Sequence, residues 1–339
     1  MDKKIFLFSI ILILCLSWQT IVFAQEENIT TSTESEIIQE IEEDQTVLAE
    51  DLNTKEPNFL PSSPFYFLKE WWRDGKLAFT FNLVKKAELR QKIADEKLLE
   101  LRKMVENGVG AGILEQSKHR YEIQQEKLQA AIEKLKERVI KNPEQLEKFK
   151  DKFTSHQILH DKILEKLVEQ VPEQAIEKIK EMRETHLQRF GEVMLKIEDA
   201  DKIPERLEKA FQNIKGSELK DFKGLEFLKQ VKERLQEESQ KEIFQQAEER
   251  ITERFREKIE QLAPEAQEKI KTYIEALPGD KEKQLEILEE LKGQLGEQNE
   301  VRQRLEEGSV RLRQKIEELQ ERTAPGAEQG ATKKGLKTE

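Results

Sequence analysis

The chain has 339 residues, of which 37% are charged, and its formal net charge is −11 at neutral pH. It contains one cysteine, Cys15, which excludes a fold held by intramolecular disulfides. The negative total disfavours nucleic-acid binding, because that function requires a surface dominated by positive charge.

The N-terminus has the pattern of a secretory signal peptide. Lys3 and Lys4 precede an apolar run over residues 5–16, and the Val22-Phe23-Ala24 tripeptide has the small-residue pattern of a cleavage site. We therefore expect cleavage after Ala24 and a location that is secreted or in the cell envelope. An uncleaved membrane anchor is the alternative, because the apolar character extends beyond residue 16.

Residues 25–58 carry most of the negative charge of the chain. They contain nine Glu and two Asp against one Lys, and no aromatic residue. This composition predicts an acidic disordered linker. The remaining body, residues 59–322, has a net charge of only −3. We do not expect nucleic acid to be a partner.

Aromatic residues are concentrated just after this linker, with eight of the 22 in the chain lying between Phe59 and Phe81. Ser63 and Pro64 predict the N-cap and first turn of a helix. Helical spacing places a set of large apolar residues along one side, namely Phe65, Leu68, Trp71, Trp72 and Phe79, with Phe81 following. The stripe is either a lid packed on later helices or an exposed face for a partner, a membrane surface or a cell-wall polymer.

The run LPSSPFYFLKEWWRDGKLAFTFNLVKKAELR, residues 60–90, resembles the opening of a bacterial family of signal-bearing proteins known as domain of unknown function 5667. The matching motifs are Leu60 to Lys69, Phe79 to Phe81 and Lys85 to Arg90, whereas Leu83 stands where the family more often has Pro. The resemblance covers about Leu60 to Val171. It implies an extracytoplasmic all-helical protein, and it implies no activity and no catalytic residues.

The pattern after residue 82 predicts helix throughout, because Pro and Gly stand between amphipathic stretches. One helix ends at Asn107-Gly108, and the next, beginning after Gly112, ends at Asn142-Pro143. A short connection between two long helices favours an antiparallel hairpin. We therefore predict an aromatic-capped helical domain over residues 59–171.

Pro-Glu pairs open several later amphipathic runs, at Pro143, Pro172, Pro204 and Pro264, and a further boundary without Pro is expected near Gln236. This spacing predicts either a degenerate helical repeat of about 30 residues or a low-complexity helix that resembles itself by composition. Helices are expected near residues 217–262, 264–277 and 280–322. The fold prediction is all-α without a β-sheet: residues 172–322 form an elongated, coiled-coil-like array of antiparallel helices, and residues 323–339 form a disordered tail.

Three of the four histidines, His156, His160 and His186, lie on the apolar sides of two successive predicted helices, and His119 does not. If the chain reverses at Val171-Pro172, His156 and His186 stand at the same height, with His160 one turn away. Such imidazoles could bind Zn, Cu or Ni. The alternative is a set of buried histidines hydrogen-bonded within a helix interface, and no carboxylate is evident among the apolar residues beside them.

The chain has no motif for nucleophilic catalysis and no phosphate-binding glycine loop, so we predict no enzyme, no catalytic residue and no cofactor apart from the metal alternative. The sequence favours a non-enzymatic structural or interaction module of the bacterial cell envelope. The alternatives are a metal-responsive binder using the three histidines and a chaperone-like binder of apolar clients through the aromatic residues. We expect a protein or envelope partner, membrane contact only through an uncleaved signal segment, and oligomers formed by helix packing.

Overall fold

The computed structural model describes residues 36–136, 142–297 and 299–323, and within these ranges it contains helices and no β-strand. The predicted signal peptide and the tail beyond Thr323 lie outside the described residues. Residues 36–45 form helix α1. The other helices are α2 (Tyr66–Ala78), α3 (Leu83–Glu106), α4 (Ala111–Lys136), α5 (Pro143–Gln170), α6 (Glu173–Ile197), α7 (Ile203–Asn213), α8 (Lys220–Arg234), α9 (Glu238–Gln261), α10 (Pro264–Ala276), α11 (Lys281–Gln294) and α12 (Glu300–Thr323).

Several helices begin where local chemistry predicts, whereas α2 begins at Tyr66 rather than at the predicted Ser63-Pro64 start. The side chains of Asn82, Asn142 and Asp280 accept hydrogen bonds from backbone N–H groups in the first turns of α3, α5 and α11. Proline occupies the first turn of α5, α7 and α10. Helix α3 ends at Glu106 with Asn107 as its C-cap, and Gly108 takes the positive φ of +65° that commonly follows a helix C-terminus.

Successive helix pairs pack on one another in a stacked order. The hairpin of α3 and α4 lies against the hairpin of α5 and α6, with α3 on α5 and α4 on α6. On the other side of this second pair, α7 packs on α5 and α8 packs on α6. Helix α9 then covers α7 and α8. Helix α11 packs on α8 and on α12, and α10 packs on α12. One continuous apolar core runs from Ile37 to Leu312, and the all-α fold class predicted from the sequence is confirmed.

Two predicted helices are divided in the structure. The predicted helix over residues 217–262 is broken between Arg234 and Glu238, at the boundary expected near Gln236. Leu235 leaves the helix with an extended backbone and packs on Gly191 of α6, where an added Cβ would lie 3.0 Å from its Cδ2. The predicted helix over residues 280–322 is likewise divided after Gln294.

The prediction of a disordered acidic linker over residues 25–58 is wrong for residues 36–58, which pack on the helical body. Ile37 and Leu52 are fully buried. The carboxylate of Asp44 is also buried, and it accepts a hydrogen bond of 2.6 Å from the hydroxyl of Tyr273. The high Glu content masked a short apolar pattern that buries enough surface to order this segment.

Candidate functional site

Helix α2 directs its apolar side toward solvent. At 3.6 residues per turn, six consecutive positions around the helix span an arc of about 140° that contains no charged residue. These positions are Phe67, Ala78, Trp71, Gly75, Leu68 and Trp72. Trp71 is 75% exposed and Trp72 is 62% exposed. Asp74 and Lys76 border the arc on either side, and the Lys76 ammonium lies 5.1 Å from the centre of the Trp72 ring.

The aromatic residues at both ends of α2 are exposed as well. Phe59 and Phe65 precede the outward residues of the helix, and Phe79 and Phe81 follow them with exposed fractions of 80% and 85%. We call these four residues and the outward Phe67, Leu68, Trp71 and Trp72 the aromatic face. The predicted lid is therefore wrong, and so is the aromatic cap of residues 59–171, because the stripe points away from the helices that it was expected to cover.

The side of α2 that faces the body is polar. Tyr66, Arg73 and Leu77 are its buried residues. Tyr66 and Arg73 meet Glu96, Lys97 and Glu100 of α3, and two of these, Lys97 and Glu100, are themselves buried. This inverted arrangement explains the failure of the lid prediction. Periodicity identified the apolar side correctly, but an ionic network holds the opposite side of α2 to the body.

Glu100 is the centre of this α2–α3 network. Its carboxylate accepts hydrogen bonds from the Tyr66 hydroxyl, from Lys69 Nζ at 2.7 Å and from Arg73 Nη2 at 3.0 Å. Burial raises the pKa of Glu100, but the surrounding Lys97, Arg73 and Lys69 outweigh burial and leave the pKa below its usual value. The ionised carboxylate therefore fixes the orientation of α2.

A groove of ≈ 650 Å³ lies beside the aromatic face. Its apolar wall consists of Phe59, Phe65, Leu68 and Trp72, and the loop of residues 53–58 forms the opposite wall. Three lysines also line it, namely Lys55, Lys69 and Lys92. The acidic lining residues Glu56 and Glu96 are each paired with an arginine, Arg102 and Arg73 respectively. The groove thus combines an apolar wall with cationic groups.

A second site lies in the core among α3, α4, α5 and α6. It brings together His156, His160 and His186, all three of them buried, as the chain reversal at Val171-Pro172 predicted. His119 is exposed and is not part of this site. The structure adds partners that the sequence interpretation missed, namely Asp95, Tyr121 and Gln125. Asp95 could have been noticed as a carboxylate beside Ala94 and Leu98 on the apolar side of α3.

Asp95 joins two of the histidines. His156 Nδ1 lies 2.9 Å from its Oδ2, and His160 Nε2 lies 2.9 Å from its Oδ1. Burial raises the pKa of Asp95, yet hydrogen bonds and charge from His156 and His160 hold that pKa below its usual value. The ionised Asp95 therefore accepts from both imidazoles.

The remaining ring nitrogens of His160 and His186 also have protein partners. His186 Nε2 donates to the backbone carbonyl of Gln157 at 2.9 Å, which leaves its Nδ1 facing the Tyr121 hydroxyl at 3.4 Å. His160 Nδ1 lies 3.1 Å from the Tyr121 hydroxyl and 3.1 Å from Gln125 Nε2. Burial, followed by the proximity of His160, lowers the pKa of His186 to about 4, so this imidazole is neutral at pH 7.

These contacts describe a hydrogen-bonded cluster rather than a preformed metal centre. Among the residues that the structure describes, no group of three or more His, Cys, Asp or Glu side chains has an arrangement that could hold a metal ion. The geometry brings the three predicted histidines together, and the prediction that they bind a metal remains a prediction.

Comparison with known proteins identifies the family. The fold and the aromatic face define an all-α protein with one helix whose apolar side is open to solvent. Residues 58–326 match the family model described as "Domain of unknown function (DUF5667)", and the chain belongs to this family. The match extends well beyond Val171, where the resemblance seen in the sequence ended.

The other comparisons give little further information. No curated protein matches the chain. A solved structure described as "Computational Design of Self-Assembling Cyclic Protein Homooligomers" aligns with 86% of this chain and 98% of its own length, at 11% identity and a TM-score of 0.34. That likeness is too weak to support an argument about fold or function. None of the described helices is long and apolar enough to cross a membrane.

Proposed function

We propose that the protein is a non-enzymatic interaction module of the bacterial cell envelope, exported by its N-terminal signal segment, and that it binds its partner through the aromatic face. The observation that carries this proposal is the outward orientation of the apolar side of α2. Large contiguous apolar patches on soluble proteins commonly mark binding sites.

The attachment of α2 to the body supports a binding role. The Glu100 network holds α2 in one orientation, so that Trp71 and Trp72 project from a fixed position. A preorganised surface loses less conformational entropy on binding than a flexible one. The arrangement is suited to presenting aromatic side chains to a partner.

Tryptophan fluorescence tests this proposal directly, because Trp71 and Trp72 are the only tryptophans after residue 24. Residues 25–339 would be mixed separately with lipid vesicles, with a chemically unfolded protein and with purified cell-wall polymer. The proposal expects a shift of emission to shorter wavelength with at least one partner, and protection of both indoles from acrylamide. If no partner changes emission or quenching, the proposed function is wrong.

The chaperone-like alternative uses the same face. It predicts a blue shift with the unfolded protein and suppression of that client's aggregation, without a shift in the presence of vesicles. A Trp71→Ser/Trp72→Ser double variant should lose the suppression. The matched control is Ile38→Ser/Val310→Ser, which removes two exposed apolar side chains outside the aromatic face.

A metal-responsive role is the second candidate, supported by the convergence of His156 and His160 of α5 with His186 of α6. Thermal unfolding would be followed by circular dichroism with Zn, Cu, Ni or a chelator. A ligand that binds only the folded state raises the melting temperature. A rise that disappears in His156→Ala/His186→Ala would support this role, and an unchanged melting temperature with every metal would eliminate it.

A further inference from the structure

We infer that the partner of the aromatic face is an anionic lipid bilayer, on which α2 lies with its apolar side in the boundary between headgroups and acyl chains. This inference rests on the proposed function and names its partner. It departs from the expectation that membrane contact is confined to an uncleaved signal segment.

The side chains of the aromatic face suit the interfacial region of a membrane. Trp is enriched at bilayer interfaces, and helices that lie in the interface present Trp, Phe and Leu on one side and basic residues beside them. Trp71, Trp72 and Leu68 supply the centre of such a surface, and the exposed Lys76 lies at its border. The apolar arc of α2 is bounded by charges as an interfacial helix requires.

Charge favours lipid over an uncharged apolar client. Residues 59–90 contain six Lys or Arg and three Asp or Glu, a net charge of +3 in a chain whose total is −11. Among the acids, Glu70 is already paired with Arg73 and Lys97. Residues 91–322 carry a net charge of −6. Residues 59–90, which contain the aromatic face, are thus a positive segment in a negative chain, and within this segment Lys69 and Arg73 are paired with Glu100. The exposed Lys76 and Lys85 would attract an anionic membrane, which would repel the remainder of the chain.

The groove beside α2 provides an independent match to an amphiphile. Its wall of Phe59, Phe65, Leu68 and Trp72 is apolar, and Lys55, Lys69 and Lys92 add cationic groups to its lining. At ≈ 650 Å³ it lies within the range of about 300–1,000 Å³ that is usual for small-molecule sites. An acyl chain against the aromatic wall would leave its phosphate near the lysines.

The direct test is vesicle flotation of residues 25–339, which omit the apolar signal segment and retain every residue that the structure describes. Vesicles of phosphatidylglycerol mixed with phosphatidylcholine would be compared with vesicles of phosphatidylcholine alone. We expect binding to be at least about tenfold tighter with the anionic vesicles, and weaker at high salt, since each nearby lysine adds to surface attraction. Circular dichroism would confirm that each variant is folded.

Two pairs of variants separate the apolar and ionic contributions. Phe79→Ser/Phe81→Ser retains both tryptophans as reporters and should weaken binding by at least about tenfold, because two large apolar contacts are lost. Lys76→Glu/Lys85→Glu should abolish the preference for anionic vesicles. The control for the apolar change is Ile38→Ser/Val310→Ser. The control for the charge change is Lys202→Glu/Lys209→Glu, because both of these lysines are exposed and lie at or near α7.

The outcomes distinguish the lipid inference from the broader proposal. Anionic-selective binding that both face variants weaken and both controls preserve would support the inference. Binding that is unaffected by the face variants would overturn it. If vesicles leave Trp emission unchanged while unfolded protein or a second copy of the chain shifts it, the lipid inference is wrong and the proposed function stands. If nothing shifts it, both are wrong.

Discussion

Two buried polar networks depend on carboxylates of the same helix, α3, and they differ in what they hold in place. Glu100 gathers Lys69, Arg73 and the Tyr66 hydroxyl at the edge of the molecule, where it fastens the single helix α2. Asp95 gathers two imidazoles in the closed interior shared by α3, α4, α5 and α6. The first network orients a surface helix, whereas the second sets the register of the central helices.

This comparison shows that buried polar residues have different structural roles in the two networks. A hydrogen-bonded cluster in the core favours one packing arrangement, because any other arrangement would leave buried polar atoms without partners. The network at the edge allows an apolar surface to remain exposed, because the helix is held by its other side. Disrupting the two networks should therefore have separable effects.

The largest effect is expected for Asp95→Ala. Removing this carboxylate leaves His156 and His160 buried without their shared acceptor, and the unfolding free energy should fall by about 3–5 kcal/mol. Urea unfolding at pH 7 followed by circular dichroism measures the change. The exposed Asp74→Ala is the control and should alter stability by no more than about 0.5 kcal/mol. If Asp95→Ala lowered the unfolding free energy by no more than this control does, the role assigned to the core cluster would be contradicted.

Glu100→Ala should have a smaller and more local effect, about 2–3 kcal/mol, because Glu70 and Glu96 still pair with Arg73. The anisotropy of Trp71 and Trp72 should fall below that of the native chain before the main unfolding transition. Glu106→Ala on the same helix, an exposed position, serves as the control. Unchanged anisotropy in Glu100→Ala would mean that other contacts hold α2.

Acidification should weaken the fold through His186. Its pKa is about 4 in the folded chain and about 6.5 when unfolded, so below pH 6.5 the unfolded chain binds a proton that the folded chain does not. The unfolding free energy should decrease by about 2 kcal/mol from this group between pH 7.5 and pH 5. Urea midpoints of the wild type and His186→Gln would be compared across this range. Parallel pH dependences of the two proteins would exclude His186 as the source.

The smallest effect is expected at the aromatic face. Trp71→Ser/Trp72→Ser should change the unfolding free energy by less than about 0.5 kcal/mol, because both side chains are already exposed in the folded state. Phe190→Ala is the comparison, and loss of this buried ring should cost about 3–5 kcal/mol. A cost of several kcal/mol for the tryptophan pair would restore the lid interpretation.

The order of the helices follows closely from the sequence, because caps and prolines act locally. Pro143, Pro204 and Pro264 lie in the first turns of helices that they were expected to open, and α6 follows Pro172. The reversal at Val171-Pro172 was sufficient to bring His156 and His186 into one cluster. Local rules therefore predict where helices start and which of them are neighbours.

The predictions that proved wrong concern contacts between distant segments. The spacing of Phe65, Leu68 and Trp72 identified one side of α2 but not its direction, which depends on Arg73 and Tyr66 meeting Glu100. The order of residues 36–58 depends on the burial of Ile37 and Leu52 in the body, where Asp44 also reaches Tyr273, more than 200 positions later. A single sequence does not show which distant residues meet. Contacts between distant segments therefore determined both corrections.

Acrylamide quenching of Trp71 and Trp72 in residues 25–339, without any partner, tests the central claim most directly. If the aromatic face is open to solvent, the quenching constant of the native protein should approach that of the urea-unfolded chain, and emission should lie at the long wavelength of a hydrated indole. Weak native quenching together with short-wavelength emission would show that the tryptophans are buried, and would contradict both the outward face and the binding function proposed for it.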